Sequence, residues 1–204
     1  MDIIMTIIWI AIGYIIGSIP WALVIGKLFY KTDIRQHGSG NLGGSNAGRV
    51  LGGKVGAIVI FLDAAKAFFV MFICSKFAPQ AIAYAGIAAC VGHCFPVFAE
   101  FKGGKAVATA YGFLLGLGVF GAADLVFVFV YPLLFFILIL GISKMVALAS
   151  CLSMLIATII SFLTCDNIMI SIFILLLTAF IIYRHRSNIV RIVKHKENKI
   201  TWLK

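Results

Sequence analysis

The polar segment from His37 to Arg49, HGSGNLGGSNAGR, has residue types that could bind a phosphate group. Glycines allow backbone N–H groups to converge on an anion, and a helix that begins nearby adds a positive field. Ser39, Asn41 and Asn46 can donate further hydrogen bonds, and the planar guanidinium of Arg49 can bind two phosphate oxygens at once. The chemistry that this segment indicates is therefore recognition of a phosphorylated small molecule.

Two other interpretations of this segment fit less well. Gly38, Gly40 and Gly43 match the G-x-G-x-x-G dinucleotide motif, which needs a preceding strand and a βαβ unit. Here an apolar helix containing Pro20 precedes the glycines and another apolar run follows, so the match is fortuitous. A plain linker explains the glycines and serines but not the asparagines and Arg49 before a helix. An anion-binding loop remains the better interpretation.

Two further polar patches are present. Residues 92–109, GHCFPVFAEFKGGKAVAT, place Gly103, Gly104 and Lys105 before an apolar run, although the spacing is not that of a Walker A motif. Residues 184–199, RHRSNIVRIVKHKENK, contain His185 and Asn188, which are three positions apart and share a helix face. Most of the remaining basic residues there are explained by contact with lipid headgroups. Three cationic patches together favour a binding site over three unrelated turns.

The elements that must position these patches are membrane helices. The 204-residue chain is 63% hydrophobic and only 12% charged, whereas a soluble domain has about 25% charged residues. Continuous apolar runs without period-two alternation predict an all-α integral membrane protein with seven transmembrane helices. The fourth and seventh runs are short for a span. The predicted segments are Ile3–Ile25, Val55–Cys74, Ala81–Val97, Ala106–Gly121, Leu125–Ile142, Met145–Leu163 and Ile168–Tyr183.

Charge predicts the orientation. With the N-terminus outside and the C-terminus in the cytoplasm, fifteen of the 17 lysines and arginines face the cytoplasm, the others being Lys66 and Lys76. The net charge of +10 then indicates a membrane surface and anionic substrates rather than nucleic acid. We expect one domain, residues 1–204, with a basic C-terminal tail over about 184–204.

Inside the predicted spans, few side chains carry charge. Asp63 and Lys66 have the i,i+3 spacing of an ion pair, which we interpret as structural, and His93 is expected to be a structural histidine. The five cysteines lie mostly in apolar runs without a C-x-x-C or Cys/His pattern, so neither a disulfide framework nor a zinc site is predicted. No cofactor or other metal is expected. Small-residue pairs that predict close helix packing are Gly13/Gly17, Gly52/Gly56 and Gly112/Gly116.

Taken together, the motifs GSIPWALVIGK, GSGNLGGSNAGRVLGGK, LDAAKA, GHCFPVFAEFKGGKAVATAYG and RHRSNIVRI make the chain resemble a bacterial family. This is the membrane acyl-phosphate:glycerol-3-phosphate acyltransferase family, and the resemblance covers nearly the whole chain. It implies a seven-helix inner-membrane enzyme with its active site at the cytoplasmic face. The implied reaction moves a fatty acyl group from acyl phosphate to the 1-hydroxyl of glycerol 3-phosphate, giving lysophosphatidic acid and phosphate for phospholipid synthesis. The resemblance also implies that neither acyl-CoA nor acyl carrier protein is the direct donor.

The resemblance also implies roles for individual residues. Catalytic positions are Ser39, Arg49, Lys105, His185 and Asn188, and substrate- or phosphate-binding positions are Gly40, Asn41, Asn46, Gly103, Gly104 and Ser150. Glu197 matches a structural acidic residue. The chain departs from the family at Gly44–Ser45, at Ala106, where glycine is common, and around Ala147–Ser150.

The mechanism has two versions at this point. Either a substrate phosphate accepts the proton of the attacking hydroxyl, or His185 acts as general base. The expected partners are the two substrates, membrane lipids and, as a further option, a soluble enzyme that makes the acyl phosphate.

Two other function classes compete with the enzyme. A transporter of organic phosphates would place its polar residues near the bilayer midplane and often between repeated halves, whereas here they gather at one face and no repeat is visible. A membrane scaffold would leave Ser39, Asn46 and Lys105 unexplained. Both alternatives make no lysophosphatidate, so an activity assay distinguishes them from the enzyme.

Overall fold

A computed structural model describes residues 2–200, and the regular structure within that range is helical. It divides into two compact units, unit 1 up to Gly116 and unit 2 from Leu117 onward. Short 3₁₀ turns lie at Ile34–Gln36, Pro79–Ala81 and Val97–Ala99, and a π-helical turn at Val126–Val130. The α-helices are α1 (Ile3–Gly17), α2 (Trp21–Tyr30), α3 (Gly44–Leu51), α4 (Gly53–Phe77), α5 (Ile82–Cys94), α6 (Val107–Val119), α7 (Tyr131–Ser143), α8 (Val146–Thr164), α9 (Ile168–Arg184) and α10 (Arg186–Val193).

All seven apolar segments predicted from the sequence are helical, but not all are long enough to cross a bilayer alone. Within residues 2–200, five helical stretches are long and apolar enough, or six if α9 and α10, bent by 61° relative to each other, count as one. The 13 residues of α6 extend only about 20 Å at 1.5 Å per residue, against about 30 Å of hydrocarbon. The all-α class is confirmed, whereas seven spans and the orientation of the termini stay predictions.

The first apolar segment is interrupted, unlike the continuous Ile3–Ile25 helix that we expected. Helix α1 ends at Gly17 and α2 starts at Trp21. Pro20 explains the break, because proline has no N–H to donate and its ring clashes with the preceding helical turn. The break leaves the Ile19 carbonyl oxygen outside a regular helix, where it accepts from the Trp21 amide at 3.2 Å and from Lys66 Nζ at 3.2 Å.

Glycines set the closest helix packing in unit 1. A Cβ atom at Gly13 or Gly17 of α1 would overlap the backbone of Ala85 or Ala89 in α5, so this predicted pair is confirmed. In the second pair, a Cβ atom added at Gly56 would lie 2.6 Å from the Cα of Gly48. In the third pair, a side chain at Gly112 would overlap Ala64 of α4, and one at Gly116 would overlap Met71 of α4. The interpretation of Gly52 as a packing residue is wrong, because open space surrounds it. Its φ of +100° marks the junction of α3 and α4 instead.

Buried hydroxyls join α8 and α9 in unit 2. Thr158 Oγ1 donates to Thr178 Oγ1 at 2.8 Å, and Ser171 Oγ donates to the Ser161 carbonyl at 2.9 Å. In a membrane-embedded bundle such bonds satisfy polar groups that no solvent can reach. The outward faces carry exposed large apolar side chains, as on Ile4, Phe61, Leu138 and Leu163, which suits contact with lipid.

The close approach of α1 and α5 predicts a specific sensitivity to substitution. We expect Gly17→Leu to lower the unfolding temperature in detergent, because overpacking costs about 1–3 kcal/mol or more when backbones are in contact. Gly141→Leu in α7 is the matched control, since a Cβ there meets open space. Both changes replace a helical glycine by the same residue, which has the higher intrinsic helix propensity. Equal melting temperatures for the two variants would contradict this packing.

Candidate active site

A buried asparagine organises the first glycine-rich loop, residues 37–43. Asn46, in the first turn of α3, is 2% exposed. Its Oδ1 accepts from the Ser39 backbone amide at 2.8 Å, and its Nδ2 donates to the Ile34 and His37 carbonyl oxygens, each at 3.2 Å. Both hydrogens of the amide are therefore used inside the loop. Asn46 shapes this site from within, and its predicted phosphate contact stays a prediction.

Two glycines let the loop fold around Asn46. Gly38 and Gly40 have φ values of +61° and +67°, the left-handed region that favours glycine. Asn46 Oδ1 occupies the position that a Gly38 side chain would need. The Gly40 amide donates to the His37 carbonyl at 3.0 Å and so closes the turn. The glycines are thus required by the turn itself.

The same fold places Ser39 and Arg49 on the outside. Both residues are exposed. Across the part of the chain that the structure describes, neither the Ser39 hydroxyl nor the Arg49 guanidinium has a hydrogen-bond or ion-pair partner. A cation and a hydroxyl beside an ordered glycine loop are suited to bind an anion from solution. Asn41 lies at the same loop and is partly buried.

Within unit 1, a charged cluster connects the turn before the first loop to the second loop, which lies between α5 and α6. Arg35 Nη1 lies 3.1 Å from Glu100 Oε1, and Arg35 Nη2 lies 2.7 Å from Asp33 Oδ2. The Arg35 side-chain hydrogen bond holds the pKa of the Asp33 carboxyl below its ordinary value. The same kind of bond, from Arg35 first and Lys102 second, lowers the pKa of Glu100. The turn that precedes the first patch therefore contacts the second patch, through a pair that sequence reasoning missed because its members are 65 positions apart.

The second loop folds back on the end of α5. The Gly103 amide donates to the Cys94 carbonyl at 3.2 Å and the Gly104 amide to the His93 carbonyl at 3.0 Å. Side chains at either glycine would overlap His93, so both positions need glycine for close approach. The amides that we expected to face a phosphate thus bond inside the protein, and the ligand-binding roles of Gly103 and Gly104 stay predictions. Lys105 follows them at a partly buried position.

Ala106, one of the departures from the pattern of the resembled family, has a backbone conformation that favours glycine. Its φ of +58° lies in the left-handed region, which costs a non-glycine residue roughly 1–2 kcal/mol. Glycine, common at this position in the resembled family, adopts that conformation without strain. The second loop therefore turns into α6 through a left-handed backbone position that would suit glycine better than alanine.

A buried ionic cluster lies beneath the second loop. Lys66 Nζ is 3.0 Å from Asp63 Oδ1, which confirms the predicted ion pair. His93 completes the cluster, with Nδ1 at 2.8 Å from Lys66 Nζ and 3.3 Å from Asp63 Oδ1. The structural role expected of His93 agrees with these contacts. Its membership in the cluster could not be read from the sequence, because α5 carries it and α4 carries the other two.

In unit 2, His185 lies at the junction of α9 and α10. It is buried, and its Nδ1 is 2.8 Å from the Ile181 carbonyl oxygen. A carbonyl oxygen can only accept, so Nδ1 carries a hydrogen and Nε2 is the acceptor nitrogen of the neutral ring. The 61° bend between the two helices occurs at this residue. The junction thus fixes both the position and the tautomer of His185.

Asn188 lies one turn further on and is also buried. Its Nδ2 donates to Glu197 Oε1 at 2.6 Å, while Arg191 Nε donates to Glu197 Oε2 at 2.8 Å. Glu197 therefore orients Asn188 and agrees with the structural role that the resemblance implied.

Ser150 is fully buried in α8, where its hydroxyl donates to the Val146 carbonyl at 2.7 Å. The substrate contact predicted for Ser150 stays a prediction.

The His, Cys, Asp and Glu side chains of the described residues are the candidate ligands of a metal site. Within residues 2–200, no group of three or more His, Cys, Asp or Glu side chains is placed to hold a metal ion. The five cysteines are free thiols, and Cys90 and Cys94 are buried in α5. The groups that can bind a ligand here are hydrogen-bond donors and cations, which suit phosphate oxygens.

Comparison with known proteins agrees with this chemistry. The chain is 42% identical over 205 residues to the glycerol-3-phosphate acyltransferase of Geobacillus kaustophilus, covering 97% of this chain and 98% of the relative. It is 47% identical over 194 residues to that of Bacillus velezensis, with 95% and 96% covered.

Two crystal structures of PlsY (YgiH), an integral membrane glycerol 3-phosphate acyltransferase, are similar in fold. The glycerol 3-phosphate form has a TM-score of 0.84 at 34% identity, and the lysophosphatidic acid form 0.83 at 33%, each covering 97% of this chain and 96% of the other. Together with the apolar helices, this similarity identifies a multi-pass membrane protein. The sequence profile described as glycerol-3-phosphate acyltransferase matches residues 7–195, and the chain belongs to the glycerol-3-phosphate acyltransferase family.

Proposed function

We propose that this protein transfers a fatty acyl group from acyl phosphate to the 1-hydroxyl of glycerol 3-phosphate. The products are lysophosphatidic acid and inorganic phosphate, at the first acylation step of phospholipid synthesis. The observation that carries the proposal is the first loop, where Ser39 and Arg49 are exposed on a backbone that Asn46 holds in place. Family membership and the glycerol 3-phosphate and lysophosphatidic acid forms of the similar structure support the same reaction.

The chemistry needs positioning more than activation. The glycerol oxygen attacks the acyl carbonyl carbon, a new ester C–O bond forms, and the bond from that carbon to the phosphate oxygen breaks. The hydroxyl proton leaves with phosphate, which is already a good leaving group. Catalysis then depends on holding two anionic substrates together and stabilising charge in the transition state.

The roles of the residues follow from their chemistry. Arg49 and Lys105 bind phosphate oxygens, and Ser39 donates to the carbonyl or phosphate oxygen on which charge develops. Asn41 and Ser150 provide further polar contacts, and His185 and Asn188 orient glycerol 3-phosphate. The other predicted phosphate-binding positions, Gly40, Asn46, Gly103 and Gly104, support the two loops that carry these groups. No cofactor or metal takes part.

The proton can follow either of two routes. In the neutral tautomer fixed by Ile181, His185 Nε2 has the lone pair that a general base needs. The alternative is that a substrate phosphate accepts the proton, which leaves His185 as a hydrogen-bonding group. We favour the substrate phosphate, because the histidine belongs to a helix junction that also has a structural role.

The proposal includes a location. The protein lies in the bacterial cytoplasmic membrane with seven spans, its N-terminus outside and its C-terminus and active site on the cytoplasmic side. Fifteen of 17 basic residues then face the cytoplasm, as the positive-inside rule requires. The acyl chain enters from the bilayer, glycerol 3-phosphate from solution, and a soluble enzyme that makes acyl phosphate can approach the basic face.

The proposed donor is tested by offering the protein different acyl donors separately. Purified protein with labelled glycerol 3-phosphate is expected to form lysophosphatidate from acyl phosphate but not from acyl-CoA or acyl carrier protein. A melting transition in the same detergent serves as the control for folding. Folded protein that forms no lysophosphatidate from acyl phosphate would contradict the proposal.

Bidentate binding by Arg49 predicts a penalty for its nearest cationic replacement. We expect Arg49→Lys to lower kcat/KM by about 10–100-fold, since a hydrogen bond to a charged group contributes roughly 1.5–3 kcal/mol. Arg186→Lys is the matched control, because that exposed guanidinium stacks on Tyr183. Similar kinetics for both variants would argue against a phosphate contact by Arg49.

The two proton routes predict different pH–rate profiles for His185→Gln. If a substrate phosphate accepts the proton, the variant loses rate but keeps the fall in kcat/KM at low pH. If His185 is the base, that acidic limb disappears with the imidazole. We expect the limb to remain; its disappearance would overturn the substrate-assisted route.

A further inference from the structure

We propose that His93 is a positioning residue that sets the geometry of the loop carrying Lys105; this inference rests on the proposed function of that loop. His93 lies at the end of α5, is 7% exposed, and contacts the loop with both its backbone and its ring. It is distinct from the residues assigned to the reaction above. The argument rests on three features of its surroundings.

The first feature is that the loop is built directly on His93. The carbonyl oxygen of His93 accepts from the Gly104 amide at 3.0 Å and leaves no room for a side chain at Gly103. The imidazole Nε2 occupies the space where a Gly104 side chain would lie. Lys105 is the next residue, so a shift of the His93 ring moves the backbone from which the lysine extends.

The second feature is that the ring itself is held from its other side. Lys66 Nζ has three N–H groups and no lone pair. It faces three acceptors, with His93 Nδ1 at 2.8 Å, Asp63 Oδ1 at 3.0 Å and the Ile19 carbonyl at 3.2 Å. Nδ1 also lies 3.3 Å from Asp63 Oδ1, but the contact with Lys66 is shorter and Lys66 can only donate. In the neutral ring Nδ1 therefore accepts, and the proton is on Nε2, at the edge beside Gly104.

The third feature is the cost of this arrangement. Asp63 and Lys66 are 1% and 5% exposed, in the middle of a predicted span. A buried ion pair is seldom more stable than apolar packing of the same volume, and ionisable groups in spans generally serve a function. Fixing one edge of His93, and through it the second loop, is a function that apolar side chains could not supply.

The test combines substitutions at His93 with one at Lys105. We expect His93→Ala to lower kcat/KM by at least about tenfold, since a misplacement of 1 Å can cost more than that. His93→Asn is expected to recover most of the loss, because its Oδ1 can accept from Lys66 in place of Nδ1. Cys74→Ala is the control, because it truncates a buried side chain in the neighbouring helix α4 that donates to the Ala78 carbonyl. Its kcat/KM should stay within twofold of the wild-type value.

Coupling to Lys105 separates positioning from general stability. If His93 acts through Lys105, the combined loss in His93→Ala with Lys105→Arg is smaller than the product of the two single losses. Multiplicative losses, or a His93→Ala variant as active as wild type, would overturn the proposal. If His93→Ala does not fold, the same cycle with His93→Asn and Gly104→Ala decides. Asparagine at position 93 is smaller than histidine, so it should reduce the overlap with the added methyl group and recover part of the kcat/KM lost in Gly104→Ala. A double variant with no such recovery would contradict the proposal.

A second readout does not depend on the reaction. The rate at which an amine-reactive reagent labels Lys105, followed by mass spectrometry, is expected to change several-fold in His93→Ala and not in Cys74→Ala. An unchanged labelling rate would overturn the positioning role. Wild-type protein that forms no lysophosphatidate would instead contradict the proposed function, so the two failures can be told apart.

Discussion

One ammonium group inside unit 1 connects the elements on which the second loop depends. Lys66 Nζ faces the Ile19 carbonyl at the break between α1 and α2, the Asp63 carboxylate on its own helix, and His93 at the end of α5. Two of these contacts are hydrogen bonds, and the third, to Asp63 Oδ1, is an ion pair, so the buried ammonium group has partners for both its charge and its N–H groups. Removing the ammonium group would leave the buried Asp63 carboxylate without its lysine cation and His93 Nδ1 without its lysine donor.

Unit 1 uses polar groups in two different ways. Inside, hydrogen bonds to other protein groups fix the loop backbone; they are made by Asn46, His93 and Lys66. Outside, the Ser39 hydroxyl and the Arg49 guanidinium have no partner within residues 2–200, and in the proposed function they bind the substrates. Preorganised donors cost no rearrangement when charge develops on a substrate. The glycines belong to the first group, because close packing and left-handed turns, more than exposed amides, explain their positions.

The sequence predicted what depends on local pattern. Hydrophobic runs gave all seven helical segments, including the two that were expected to be short, and i,i+3 spacing gave the Asp63–Lys66 pair. Contacts between distant elements carried no such signal, as for His93 joining a pair on another helix, or Arg35 meeting Glu100. Composition also cannot say whether a polar side chain faces a ligand or the protein backbone. For this reason the sequence predicts a phosphate contact for Asn46 but not its hydrogen bonds to the backbone of the first loop.

The central claim is that acyl phosphate gives its acyl group directly to glycerol 3-phosphate. The most direct measurement is the stoichiometry of inorganic phosphate released to lysophosphatidate formed, by purified protein with both substrates in detergent. The account predicts one phosphate for each lysophosphatidate and almost no phosphate without the acceptor. Phosphate release that is independent of glycerol 3-phosphate, with no matching lysophosphatidate, would contradict it.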